Sequence, residues 1–259
     1  MEVFTMGFQN DIGELPGKAQ KQLLVVPIID CSGSMTANGN IGRVNEAMRE
    51  VAPQLVQIET DNKVEILLAP ISFSNGARWI GLAPGGEPVR PANFAWSDLA
   101  ASGGTDLGAA YDLLRTKLTR RENGGWLDGR KGLRPILLLI SDGEPNDSWE
   151  ISLNELSKRG WYKEAMKYAI AVEGASRPVL AKFTGTEETI YDTDTLRTDL
   201  ASLVKAIVLT VSKAVSDGGG AVVDTAISNE QIDDAAKQSI IDTVNETINV
   251  NDSDDFFEA

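Results

Sequence analysis

Histidine is absent from these 259 residues, and cysteine occurs once, at Cys31. Without imidazole there is no Ser-His-Asp or Cys-His machinery and no histidine proton shuttle. A lone thiol with no histidine also excludes structural zinc, iron–sulfur centres and an internal disulfide. Long apolar runs are missing: the longest, 23–29, contains Pro27 and falls far short of the roughly 20 residues that span a bilayer. The opening Met1-Glu2-Val3-Phe4 lacks the basic and apolar regions of a signal peptide. The expectation is a cytoplasmic protein with no membrane partner, which a single thiol suits. Positive charge is scarce, with 24 Lys+Arg against 38 Asp+Glu and a formal charge of −14. Phosphate backbones would be repelled, so nucleic acid is not an expected partner.

What is present suits one domain with appendages. From Asp217 to the end there are eleven acids and one base, a net of −10, which leaves the first 216 residues at −4. Asp217-Gly218-Gly219-Gly220 marks the change and reads as a flexible joint. The expected organisation is an arm over 1–20, a folded domain over 21–216, and a joint with an acidic tail over 217–259.

Within the domain, strand and helix signals alternate. Residues 22–30 form an apolar run like a strand buried on both faces. Ile41, Val44, Met48, Val51, Leu55 and Ile58 recur at helical steps, and Pro53 is expected to kink or end that helix. Residues 64–73 and 77–82 read as strands around the turn signal Asn75-Gly76. Leu107, Tyr111, Leu114 and Leu118 give a second helix. A buried strand follows at 135–140, then a helix at 150–158, a strand at 168–172, a short helix at 178–183, a brief strand at 189–191 and a closing helix at 195–215. This alternation predicts an α/β fold, doubly wound, with a mostly parallel central sheet flanked by helices on both faces and an acidic C-terminal tail after it.

Ligands in such sheets bind at the carboxyl ends of the strands, and three polar clusters fall there. Asp30-Cys31-Ser32-Gly33-Ser34 follows the first strand, with Gly33 expected to allow a close turn. Ser102-Gly103-Gly104-Thr105-Asp106 precedes the second helix. Ser141-Asp142-Gly143-Glu144 follows the strand at 135–140. The candidate ligands among them are two carboxylates, Asp30 and Asp142, and three hydroxyls, Ser32, Ser34 and Thr105. A hard cation such as Mg2+ takes six oxygens and keeps some as water. So few protein charges would leave it able to accept one more anionic ligand.

These motifs resemble the metal-ion-dependent adhesion site (MIDAS) of von Willebrand factor A domains, and the resemblance covers about residues 21–216. Finer matches resemble the bacterial tellurite-resistance TerY-like branch: Val44-Asn45-Glu46-Ala47, Ile71-Ser72-Phe73, Ser102 through Gly108, and Arg134-Pro135 leading to Asp142-Gly143-Glu144-Pro145. The resemblance implies Mg2+, with Mn2+ or Ca2+ as substitutes. It implies direct ligation by Ser32 and Ser34, direct or water-mediated ligation by Thr105, and mostly water-mediated ligation by Asp30 and Asp142. A protein partner would supply an Asp or Glu to the open position. There are two departures: Pro27 lies inside the first strand, where a local bulge is expected, and one cysteine cannot build the cysteine-rich extension of some TerY-like proteins.

Plainer readings stand beside these. Thr105 suits a cap for the helix beginning at Asp106, Cys31 a small buried filler, and Glu144 and Asp147 solvated loop acids on the rim. Ile232, Ala236, Ile240, Ile241, Val244 and Ile248 outline an amphipathic helix in the tail, suited to packing on its own domain or to self-association. The functional expectation is a non-enzymatic, Mg2+-dependent adaptor in a bacterial or phage-borne stress-response system. The alternatives are a metal-dependent hydrolase or phosphoryl-transfer enzyme using Asp30 or Ser32, for which Arg43 is the one nearby cation, and a partner subunit of an ATPase-driven machine.

Overall fold

The computed structural model describes residues 21–127, 133–172 and 174–193, with Ala201, Val204, 206–208 and Asp242 beyond them. The arm, the joint and all of the tail except Asp242 lie outside the described residues, as does the self-association expected of the tail.

Among the described residues seven strands form one sheet: β1 (Lys21–Asp30), β2 (Val64–Leu68), β3 (Ile71–Ser74), β4 (Gly76–Trp79), β5 (Ile136–Ser141), β6 (Met166–Ala171) and β7 (Ile190–Asp192). The order is β4-β3-β1-β5-β6-β7, with β2 also on β1. All pairings are parallel except the β3–β4 hairpin. Among the described residues five complete helices connect them: α1 (Asn40–Asn62), α2 (Leu107–Lys117), α3 (Trp149–Ser157), α4 (Gly160–Glu164) and α5 (Arg177–Thr184). Of the closing helix, Ala201, Val204, Ala206, Ile207 and Val208 are helical and buried.

Alternation along β1 separates two cores. Leu23, Val25 and Ile29 face the cluster containing Val44, Met48, Val51 and Leu55 of α1. Leu24, Val26 and Ile28 face the cluster containing Tyr111 and Leu114 of α2 and Phe183 of α5. Helices therefore cover both faces, and β1, buried on each side, is the centre of the sheet.

Two expectations about proline and one about strand length are corrected. Pro53 does not divide α1, which runs through it. Pro53 lies on the exposed side of the helix, so the carbonyl it leaves without a donor, four residues back, is on the wet face. The span expected as one strand, 64–73, is two, split at Ala69-Pro70. Both pieces nevertheless pair with β1 at the same offset, Val25 opposite Leu68 and Ile28 opposite Ile71. Pro27 therefore produces no bulge. Val25 O accepts from Ala69 N (3.1 Å) and Cys31 N donates to Phe73 O (2.8 Å), so odd-numbered residues of β1 turn their polar groups towards β2 and β3. Pro27 shares that parity, and its missing N–H faces the Ala69-Pro70 break.

Candidate metal centre

From β1 the chain passes leftward to β2 and β3, and through α2 it returns to β5 on the other side of β1. The connections diverge between β1 and β5, the position where open α/β sheets bind ligands. Asp30 ends β1 and Ser141 ends β5 next to it.

Asp30 is fully buried, and both its oxygens are occupied. Oδ1 accepts from Ser32 N at 2.8 Å, which shapes the turn after β1. Oδ2 accepts from Ser141 Oγ at 2.7 Å. Ser32 Oγ lies 2.9 Å from Ser34 Oγ, and Ser34 Oγ donates to Asp142 Oδ1 at 2.8 Å. The first and third clusters are thereby joined in one hydrogen-bonded chain. A 3-10 segment, Gly33–Gly39, carries Ser34 onwards to α1.

Thr105 enters from the opposite wall. A Cβ placed on Gly143 would lie 3.4 Å from Ser34 Oγ and 4.0 Å from both Asp30 Oδ2 and Thr105 Oγ1. Glycine at 143, in the third cluster, therefore leaves open a small space on which donors from the first and second clusters converge. Thr105 does not cap α2: Asp106 holds the cap position, with no side-chain cap bond. Thr105 Oγ1 has no hydrogen-bond partner among the described residues. All five candidate ligands, Asp30, Ser32, Ser34, Thr105 and Asp142, are thus brought together. Among the described residues no group of three or more His, Cys, Asp or Glu side chains could hold a metal. This set has two carboxylates, and the rest of its donors are hydroxyls.

The electrostatics favour a cation. Burial raises the Asp30 carboxyl above its ordinary value, hydrogen bonds from Ser32 and Ser141 partly oppose this, and the charge of Asp142 adds to the rise. Two acids around this cradle leave negative charge that a hard cation would neutralise. Cys31 is a buried filler, its thiol pushed up to about 12 by burial and then by the charge of Asp30. Gly33 has no positive φ, and a Cβ there would sit 3.4 Å from Gly103 O, an ordinary contact. The demanding glycine is Gly103, at φ 82°, where a Cβ would come within 2.6 Å of Asn75 Nδ2.

Several residues around the site escaped the sequence reading. Asn146 Oδ1 accepts from Thr105 N (3.0 Å), and Asn146 N donates to Thr105 O (3.1 Å). Asp147, expected as a solvated loop acid, instead reaches α2, where its Oδ2 accepts from Ala109 N at 3.2 Å. Glu144 remains an exposed rim acid, accepting from Ser176 Oγ. Asn45 is buried on α1 and pins the following loop, exchanging hydrogen bonds with Leu99 N and O and accepting from Trp96 Nε1. The one available signal was the density of Asn and Asp beside Gly and Pro.

No protein-family model matches the chain, and no curated protein matches it in sequence. Solved structures do resemble it. A von Willebrand factor type A protein from Catenulispora acidiphila superposes with a TM-score of 0.53 at 16% identity, over 85% of this chain and 43% of that one. Proximal thread matrix protein 1 from the mussel byssus, with a zinc-occupied MIDAS motif, gives 0.52 at 16% identity over 74% and 46%. The pilus adhesin SpaC from Lactobacillus rhamnosus GG gives 0.53 at 12% identity over 78% and 31%. This chain spans less than half the length of each. At such identities the likeness establishes the fold, an α/β sheet of the von Willebrand factor A type.

Proposed function

We propose that the chain is a non-enzymatic, metal-dependent protein-binding module. Asp30, Ser32, Ser34, Thr105 and Asp142 would hold a divalent cation, Mg2+ with Mn2+ or Ca2+ as substitutes. The observation that carries this is the convergence of Ser34 Oγ, Thr105 Oγ1 and Asp30 Oδ2 on the space beside Gly143. When bound, the cation supplies a Lewis-acidic position that takes an Asp or Glu carboxylate from a protein partner. The chain's own residues do the rest. Asp30 holds the turn through Ser32 N, Ser141 keeps the Asp30 carboxylate oriented, and the Thr105 hydroxyl stays free for a ligand.

The engagement of both Asp30 oxygens, with complete burial, supports binding over catalysis. A carboxylate nucleophile needs a free oxygen, and Arg43 is turned to Asn40 Oδ1. The TerY-like motifs support a finer placement, a cytoplasmic adaptor in a bacterial or phage-borne stress response of the tellurite-resistance type.

Calorimetric titration of Mg2+ into wild type and Asp142→Ala tests the metal, with circular dichroism as the control for folding. The expected result is saturable binding in wild type and at least a tenfold loss in the variant, since a ligand charge is removed. A pull-down repeated with EDTA and with Asp142→Ala should lose the same partner twice. Equal Mg2+ affinity in the two proteins overturns the metal site. Phosphoester turnover by wild type that disappears in Ser32→Ala overturns the non-enzymatic reading.

A further inference from the structure

Next to the Ser32 turn, a second cavity of about 350 Å3 opens on the α1 side of the sheet. Cys31, Ser72, Ser74, Asn75, Arg78 and Ser102 line it, and none of its lining residues is acidic. Ile71 and Phe73 belong to the α2-side core, so alternation sends Ser72 and Ser74 to the side that Cys31 faces. Arg78 stands opposite Ser72 across the β3–β4 hairpin, and its Nε donates to Ser72 Oγ at 3.3 Å. The hairpin thus brings a second cation to the site, besides Arg43.

Arg78 differs in pairing from five other arginines of the domain. Arg49, Arg90, Arg115, Arg120 and Arg121 each face a carboxylate. Arg78 has none among the described residues. A guanidinium tied by one neutral hydroxyl keeps its terminal nitrogens for an anion, and its planar fork matches a carboxylate. The cavity shares Cys31 and Ser102 with the backbone next to Ser32 and Gly103. Two strand spacings, about 10 Å, separate β1 from β4. Acidic residues three apart on an extended segment cover the same distance, at about 3.3 Å per residue, and residues two apart cover about two thirds of it.

We propose that this cavity is an anion subsite that holds a second carboxylate of the partner, so that the site selects a segment carrying two acids. The proposal rests on the metal reading above, in which the first carboxylate of the same segment reaches the cation. Arg78 is then a specificity residue that separates two-acid segments from single acids.

Fluorescence anisotropy with synthetic labelled peptides tests it. One Gly/Ser peptide carries a single Asp, and two others carry a second Asp two or three residues on. Each is titrated with wild type, Arg78→Gln and Asp142→Ala, in Mg2+ and in EDTA. The expected result is that the second Asp strengthens wild-type binding about tenfold, as one charged hydrogen bond would. Arg78→Gln should remove that advantage and leave single-Asp binding and its Mg2+ requirement intact. Arg78 is exposed, so the variant should melt like wild type. A second Asp that confers nothing, or that confers as much on Arg78→Gln, overturns the subsite while the Mg2+ requirement preserves the metal reading. An advantage that Arg78→Gln removes, but that EDTA and Asp142→Ala leave untouched, keeps the subsite and overturns the metal reading. Absence of binding by every peptide overturns both.

Discussion

Two loops meet at the candidate metal centre, and they are held in opposite ways. The loop carrying Thr105 is tied from both sides by side chains of other elements. Asn75 accepts from Gly104 N, Asn146 exchanges two bonds with Thr105, Asp106 accepts from Gly76 N and Asp147 accepts from Ala109 N. The segment carrying Ser34 is 3-10, and its kink passes through Asn38 and Gly39 at positive φ. Ser34, Thr36, Ala37, Asn38 and Gly39 are exposed, with only Met35 anchored in the core. Thr36 Oγ1 bonds no further away than Gly33 O. The Ser34 side has fewer ties, chiefly Ser34 Oγ to Asp142 Oδ1 and Gly33 N to Gly103 O, so it is the more compliant wall and the Thr105 side the more fixed. A change of shape on ligand binding would be carried by the Ser34 segment moving against a stationary Thr105.

The comparison is broken most severely at Asn146. Asn146→Ala removes the acceptor of Thr105 N and opens the fixed wall. Thr105 N is left without its partner, at a cost of about 1–3 kcal/mol. Mg2+ affinity should fall by about 10–100-fold, the usual effect of losing a residue that orients a ligand. Calorimetry and thermal melts check both numbers. An unchanged Mg2+ affinity would mean that the Thr105 loop keeps its place without the clamp.

The next effect in size is at Asp30, where both walls meet. Burial penalises its charged form. Asp30→Asn keeps the shape and an acceptor for Ser32 N, and its amide can donate to Ser141 Oγ. The metal-free protein should therefore melt at a higher temperature than wild type, while the Mg2+-induced rise in melting temperature shrinks. This is the exchange of stability for function expected where a binding site holds an unneutralised charge. A lower melting temperature without metal would show that the carboxylate is already well compensated in its pocket.

The two walls also differ in how far they could be read from sequence. The Ser34 side was legible, because Asp30 and Ser32 interact two residues apart and a polar turn after an apolar strand is a local pattern. Asp142 was legible for the same reason, as part of a polar turn after an apolar strand. The clamps on Thr105 were not, since Asn75, Asn146 and Asp147 act across 29 to 41 residues of chain, which no periodicity reports. The prolines divide in the same way. That Pro27 lies in a strand was visible, but which neighbour its nitrogen faces depends on the pairing parity. Pro53 was misread because a proline on the exposed side of a long helix costs less than one facing the core. Arg78 became part of the site through the β3–β4 hairpin, a pairing that brings residues of the turn region back over the Ser32 turn.

The smallest expected effect tests the compliant wall alone. Gly39 has φ 71°, and a Cβ there would meet nothing within 4 Å. Gly39→Ala therefore carries only the conformational penalty of a left-handed residue, about 1–2 kcal/mol. That corresponds to a drop of roughly 2–8 °C in melting temperature for a domain of this size. The Thr105 clamps are untouched, so Mg2+ affinity should stay within about twofold of wild type, far from the loss expected for Asn146→Ala. Amide exchange gives the matching local readout, with faster exchange confined to the Ser34 segment and unchanged protection at Gly104 and Thr105. If Gly39→Ala weakened Mg2+ as strongly as Asn146→Ala, both walls would be equally committed to one geometry. Metal binding would then draw on the strain at Gly39, and the division into a fixed and a compliant half would fail.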